Sequence, residues 1–121
     1  MENLVNNIAT SALNKKGGTF VVQNGIECQV KHGFWVGGSG LCYIIPYEFI
    51  GGAKYLKSLI AKILPKITTT AHIGVWYNEE TNAVYIEPVL HFTNKNAALD
   101  AAFFYNQIAI YDIANNKDIN L

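Results

Sequence analysis

Cys28, His32 and Cys42 are the residues that first suggest a metal. A C-x3-H step with one further cysteine supplies three ligands and matches none of the common structural zinc spacings. Core thiols and a surface histidine are the better reading. Pairing either cysteine with His32, His72 or His91 would make a nucleophile and its base. An active thiol needs an electropositive, partly exposed setting, and nothing near either cysteine in sequence supplies one. Paired carboxylates do acid–base work. Glu79 and Glu80 fall in a turn pattern and read as solvated. Glu87, before Pro88 in an aromatic run, stands out, although an edge-strand residue is the simpler account of it. Gly37-Gly38-Ser39-Gly40 lacks the following Lys-Ser/Thr of a phosphate-binding P-loop. Its N–H groups could still cradle an anion, but a plain flexible loop is preferred.

Aromatic side chains make up 12% of the chain, and most must be core. Tyr and Trp combine an apolar body with a polar tip, which also suits them to stack nucleobases. Along residues 73–78, Ile73, Val75 and Tyr77 share one face of a strand, and Gly74, Trp76 and Asn78 share the other. The Trp76 face is the mixed one and lies beside a residue without a side chain. It has room for a ring ligand or a partner subunit, with a partner as the expected occupant.

Several elements must position these residues. Leu4, Val5, Ile8, Ala9, Ala12 and Leu13 recur at helical spacing from residue 3 to about 15, and Gly17-Gly18 ends the run. Its polar face is rich in Asn, a poor helix former, so packing must hold it. Asn24-Gly25 between residues 19–22 and 26–30 reads as a tight hairpin whose second leg is half-buried. Phe34-Trp35-Val36 either continues that leg or starts the next strand. Leu41 to Ile45 is another strand, ended by Pro46. A second amphipathic helix covers about 53–64, closed by Pro65. Strands then follow at 72–78 and 84–88, joined by a polar loop from Asn78 to Asn82. A short helix at 97–102, capped by Thr93 or Asn94, precedes a last strand at 106–113. The order predicts one α+β domain over residues 1–121: a single, mostly antiparallel β-sheet packed with about three short helices.

Composition narrows the function classes. The nine basic residues are all Lys, balanced by nine Asp and Glu, and there is no Arg. Arg is the usual reader of phosphate and guanine, and the one close Lys cluster, Lys54, Lys57, Lys62 and Lys66, reads as a solvated helix face. Duplex nucleic acid is therefore not an expected partner. No apolar run approaches the ~20 residues of a membrane span. The start of the chain lacks a secretory pattern, so a membrane is not expected and free thiols in a cytoplasm are.

Gly17-Gly18-Thr19-Phe20, Gly33-Phe34-Trp35-Val36, Ile73-Gly74-Val75-Trp76, Val84-Tyr85-Ile86-Glu87 and Asn106-Gln107-Ile108-Ala109-Ile110-Tyr111-Asp112 occur in that order. Together they resemble the phage Thoeris anti-defence signal-sponge family of the first-described type. The likeness covers nearly the whole chain and is specific from about residue 72 onward. It implies a phage or prophage protein of the host cytoplasm that binds a cyclic ADP-ribose isomer, or a related cyclic nucleotide, and does not degrade it. It also implies a homodimer or higher homo-oligomer with pockets between protomers, and no cofactor, catalytic residue or metal. Such a ligand needs stacking, amides and a cation. The corresponding expectations are Trp76 and Phe92 for stacking, Asn94, Asn106 and Gln107 as amides, and Lys95 or Lys31 for phosphate. Asn106 also reads as a left-handed helix cap. The chain departs from the family in having no pocket arginine, with Ile at position 108. The competing readings are a phage inhibitor acting by direct contact with a host defence protein, and an enzyme using Glu87 or His91.

Overall fold

Helix α1 runs from Glu2 to Leu13, and its apolar stripe of Leu4, Val5, Ile8, Ala9 and Ala12 is buried. The computed structural model, which describes residues 1–38 and 41–121, also explains the Asn-rich face. Asn3 Nδ2 donates to the Asn24 carbonyl and Asn7 Nδ2 to the Gly25 carbonyl, each at 2.7 Å. The helix thus clamps the turn that follows β1 (Gly18–Val21). Gly25 has φ +72 and lies so close to the helix that a Cβ would stand 2.7 Å from Leu4 Cα.

That clamp corrects the expected second leg of the hairpin. Residues 26–30 are not a half-buried strand: they meet β1 at a single bridge, Phe20 to Glu27, and Ile26 and Val30 are exposed. The Asn24 side chain accepts from the Ile26 N–H at 2.9 Å, and the Gly25 N–H returns to the Val21 carbonyl at 2.7 Å. The turn bonds to itself and to α1, and the leg joins β1 through the Val21 N–H to the Ile26 carbonyl at 2.9 Å and the Cys28 N–H to the Thr19 carbonyl at 2.7 Å before leaving the sheet. Alternation alone does not say that anything will cover the leg that follows.

Strands β2 (Phe34–Gly37) and β3 (Tyr43–Pro46) come next; Ser39 and Gly40 of the glycine-rich loop lie outside the described residues. Helix α2 spans Ala53–Ile67. It passes its expected stop at Pro65 because Ile67 is fully buried, and the Thr68 N–H closes the last turn onto the Leu64 carbonyl at 3.0 Å. Strands β4 (His72–Asn78) and β5 (Ala83–Phe92) form the expected hairpin. Helix α3 spans Lys95–Phe104, and β6 (Ala109–Asp112) follows. A further strand, β7 (Lys117–Asn120), was not expected. Its sequence holds one apolar residue, Ile119, and its hairpin is made by Asp112, whose carboxylate accepts from Asn115 Nδ2 at 2.8 Å.

Among the described residues the fold is α+β with a single seven-stranded antiparallel sheet in the order β1-β4-β5-β2-β6-β7, and β3 also beside β5. The long β5 takes β3 against its first half and β2 against its second, so β3 and β2 lie end to end along one side of it. Helices α1 and α2 pack on Phe20, Ile45, Ile73, Val75, Val84 and Ile86. Helix α3 packs on Val36 and Ile110, with Phe34 and Phe92 alongside. By register these are one and the same face. Each fully buried Ile or Leu there contributes about 1.5–3 kcal/mol. No described helix is long and apolar enough to cross a membrane.

Candidate functional site

With α1, α2 and α3 on one side, the other face of the sheet carries no helix among the described residues. Pleat and register write its rungs directly. Tyr111 stands opposite Trp35, and Trp35 opposite His91. Val21 faces His72, and His72 faces Val89. Thr19 faces Gly74, which faces Glu87; then Trp76 faces Tyr85, which faces Ile44. The β5 segment Val84 to His91 encodes both faces in one alternation: Val84, Ile86 and Pro88 go to the core, and Tyr85, Glu87, Val89 and His91 to the open side.

Two aromatic blocks stand on this face. Trp76 and Tyr85 lie 4.5 Å apart between ring centroids, tilted by 31°. Trp35 is flanked by His72 and His91, each at 5.1 Å. His91 Nε2 donates to the His32 carbonyl at 2.8 Å, which fixes its ring. His72 is held below its ordinary pKa, first by burial and then by the neighbouring His91. All of these rings are half-buried, so each keeps part of its surface open to solvent.

Glu87 sits between the blocks, in a rung where, among the described residues, no strand residue is paired with it on the β2–β3 side. There β2 has ended at Gly37 and β3 has not begun. Three polar groups converge on that gap. Gly37 has no side chain, and a Cβ there would stand 2.9 Å from Glu87 Oε1 and closer still to Gln107 Oε1. Cys42 reaches Glu87 through its thiol. Cys42 is exposed, and its Sγ also donates to the Tyr43 carbonyl at 4.0 Å. Burial, then the Glu87 charge, push the thiol up to about 12. It is therefore not an activated nucleophile at neutral pH. Burial also raises the Glu87 carboxyl, and the Cys42 hydrogen bond opposes that shift. Glu87 belongs to a central strand, which corrects its reading as an edge residue. Edge position is decided by which distant strands pair with β5, and local sequence does not carry that.

The residues expected to bind ligand do not come together as a set. Trp76 is on the open face and Gln107 reaches the same face beside Glu87. Phe92 lies on the opposite, helix-covered face beside Phe34. Asn94 caps α3, its Oδ1 accepting from the Ala97 N–H at 3.1 Å, and Lys95 is the exposed first residue of that helix. Asn106 is exposed with φ 56, the left-handed cap that its position after a helix allows. Tyr85, Trp35, His72 and His91 were not singled out for ligand binding. The alternation of β5 pointed to Tyr85 and His91, and nothing local pointed to the rest.

No strand residue on the open face is a Lys; its charged groups are Glu87 and Asp118. Among the described residues no group of three or more His, Cys, Asp or Glu side chains is placed to hold a metal. A concave region lined by Ile44, Pro46, Phe49, Tyr55, Leu59 and Ile63 lies between β3 and α2. At about 240 Å³ it is smaller than the few hundred Å³ of ordinary ligand pockets. No family model, curated protein or solved structure matches this chain.

Proposed function

We propose that this protein binds and sequesters a cyclic nucleotide signal, of the cyclic ADP-ribose type or a related one, without degrading it, as a phage or prophage anti-defence protein in the host cytoplasm. The observation that carries the binding part is the helix-free sheet face with two half-exposed aromatic blocks, Trp76–Tyr85 and His72–Trp35–His91. Flat rings presented on a rigid sheet offer stacking at about 1–3 kcal/mol per base. The anti-defence role rests on the sequence resemblance described above. In this reading the phosphates are met by cations from outside the face, and a second copy of the chain completes the site.

The test is a release assay. Purified protein is mixed with each cyclic ADP-ribose isomer and with cyclic dinucleotides, passed through a size filter, and the retained fraction is heat-denatured. Intact ligand in the released fraction is expected. Passage of every ligand through the filter would overturn the reading.

Direct inhibition of a host defence protein is the second reading, and one feature favours it. Phe103, Phe104 and Ile108, at the end of α3 and just after it, are 67%, 79% and 73% exposed. Aromatic side chains this exposed suit a protein contact. That reading predicts a stable complex with a protein and no retained nucleotide.

A further inference from the structure

We propose that β3 is the contact between two copies of this chain: their Tyr43–Pro46 edges pair antiparallel about a two-fold axis at Ile44 and join two sheets into one. The inference supplies the second copy that the reading above calls on to complete the site, and it rests on that reading for nothing else.

Among the described residues β3 is the unguarded edge of the sheet. β1 is met on its outer side by the leg at residues 26–28, and β7 carries exposed Lys117 and Asp118. Charged side chains keep an edge from pairing with other chains. β3 holds Tyr43, Ile44, Ile45 and Pro46, none of them charged, and pairs only with β5. The ladder shows which of its backbone groups are spare. The Tyr47 N–H donates to the Asn82 carbonyl at 2.9 Å, and Pro46 stands opposite Ala83. Bonded and non-bonded pairs alternate along an antiparallel ladder. Ile45 and Tyr43 therefore bond to β5, and the N–H and C=O of Ile44 point away from it. Pro46 has no N–H to leave bare, which suits an edge.

A second copy answers this edge in both hydrogen bonding and shape. Ile44 offers one donor and one acceptor, so the partner's Ile44, turned by a two-fold axis perpendicular to the sheet, satisfies both at once. In that register each Tyr43 stands opposite the partner's Ile45, ring against aliphatic chain on the covered face. The concave region between β3 and α2 lies beside the seam. Ile44 and Pro46 line it although their side chains belong to the other face, so it opens along the outer edge of the strand. Phe49, Tyr55 and Leu59 line it too, and no lining residue is charged. The partner's Tyr43 comes against it from the seam.

The two-fold also joins the open faces. Ile44 ends the rung of Trp76, Tyr85 and Ile44, and an axis perpendicular to the sheet keeps both open faces on one side. The two Tyr85 residues then lie three strand spacings apart, roughly 14 Å. One surface thus carries the aromatic blocks of both copies.

The experiment measures the mass of the full chain by light scattering on a sizing column, without nucleotide. Wild type is expected at twice the 13.4 kDa of one chain. Ile44 is 54% exposed, so charged substitutions there spare the core. Ile44→Lys and Ile44→Glu each set like charges opposite one another across the axis, and each alone is expected at the mass of one chain. An equimolar mixture of the two is expected to return to the doubled mass, because in this register position 44 meets itself. Ile26→Lys, at an equally exposed residue beyond β1, is expected to stay doubled. Wild type at the mass of one chain, doubled mass kept by both Ile44 variants, or a mixture that stays single overturns the inference. So does loss of doubling in Ile26→Lys alone. The release assay is scored apart. A doubled mass with no retained nucleotide keeps this interface and overturns the binding reading, and a single mass with nucleotide retained does the reverse.

Discussion

The two faces of the sheet are built from the same strands by the same alternation, yet they differ in what they bury. The covered face is mostly aliphatic, Ile73, Val75, Val84 and Ile86 against the Leu and Ile stripes of α1 and α2, and the phenylalanines it holds, Phe20, Phe34 and Phe92, carry no polar tip. The open face carries Trp35, Trp76, Tyr85, His72, His91 and Glu87, side chains with polar tips and only partial burial. Aliphatic packing is close-fitting and its loss is costly. Rings with one side open can give up that side to a ligand at small cost to the fold. The difference teaches that stability and recognition are segregated by residue parity, so mutations on alternate positions of one strand should separate the two.

Neighbouring residues of β5 give the largest expected contrast. Ile86→Ala, on the covered face, removes a fully buried side chain and should cost about 2–5 kcal/mol in denaturant unfolding. Tyr85→Ala, one residue away, should cost about 1 kcal/mol, the loss of an aromatic pair, and abolish most ligand retention. Equal destabilisation by both would break the comparison. Trp76→Ala sharpens it. Ligand affinity should fall by about 1–3 kcal/mol, while the chain keeps its circular-dichroism spectrum and cooperative unfolding.

Asn94→Ala is the next in size. It removes the α3 cap at a cost of about 1 kcal/mol, and ligand affinity should not change, because α3 lies on the covered face. A loss of binding with no loss of stability would return Asn94 to the site. The smallest effect is pH-dependent. Burial raises the Glu87 carboxyl above its ordinary value, so the folded state holds its proton more tightly than the unfolded chain does. Stability is lost as pH rises from the usual carboxylate range, about 4.3, through the raised value. Glu87→Gln should therefore raise the melting temperature at neutral pH, and the gain should shrink to nothing below about pH 4.

Much of the covered face was legible in sequence. The helical stripe of α2, the β4–β5 hairpin around Asn78–Asn82, and the split of Ile73, Val75 and Tyr77 from Trp76 all follow from local periodicity, and the structure has each of them. What local pattern left out is non-local. Gln107 meets Glu87 only because β6 pairs with β2 and Gly37 ends there. Glu87 is central only because β2 and β3 both run along β5. The leg at 26–30 has a strand's alternation but is left outside by a turn that α1 clamps. β7 has almost no apolar signal and depends on the Asp112 turn. Phe92 and Trp76 looked equivalent as stacking rings, and parity along β5 and β4 puts them on opposite faces.

The account's central claim is that ligand binds on the open face. The chain contains two tryptophans, Trp35 and Trp76, and both stand on that face, so their fluorescence reports on it and on no other surface. The most direct measurement is a fluorescence titration with whichever cyclic nucleotide the release assay retains. A saturable change in emission, lost in Trp76→Ala at matched stability, is the predicted result. Retention of the nucleotide with no change in emission from either tryptophan would contradict the claim, because the ligand would then occupy some other surface.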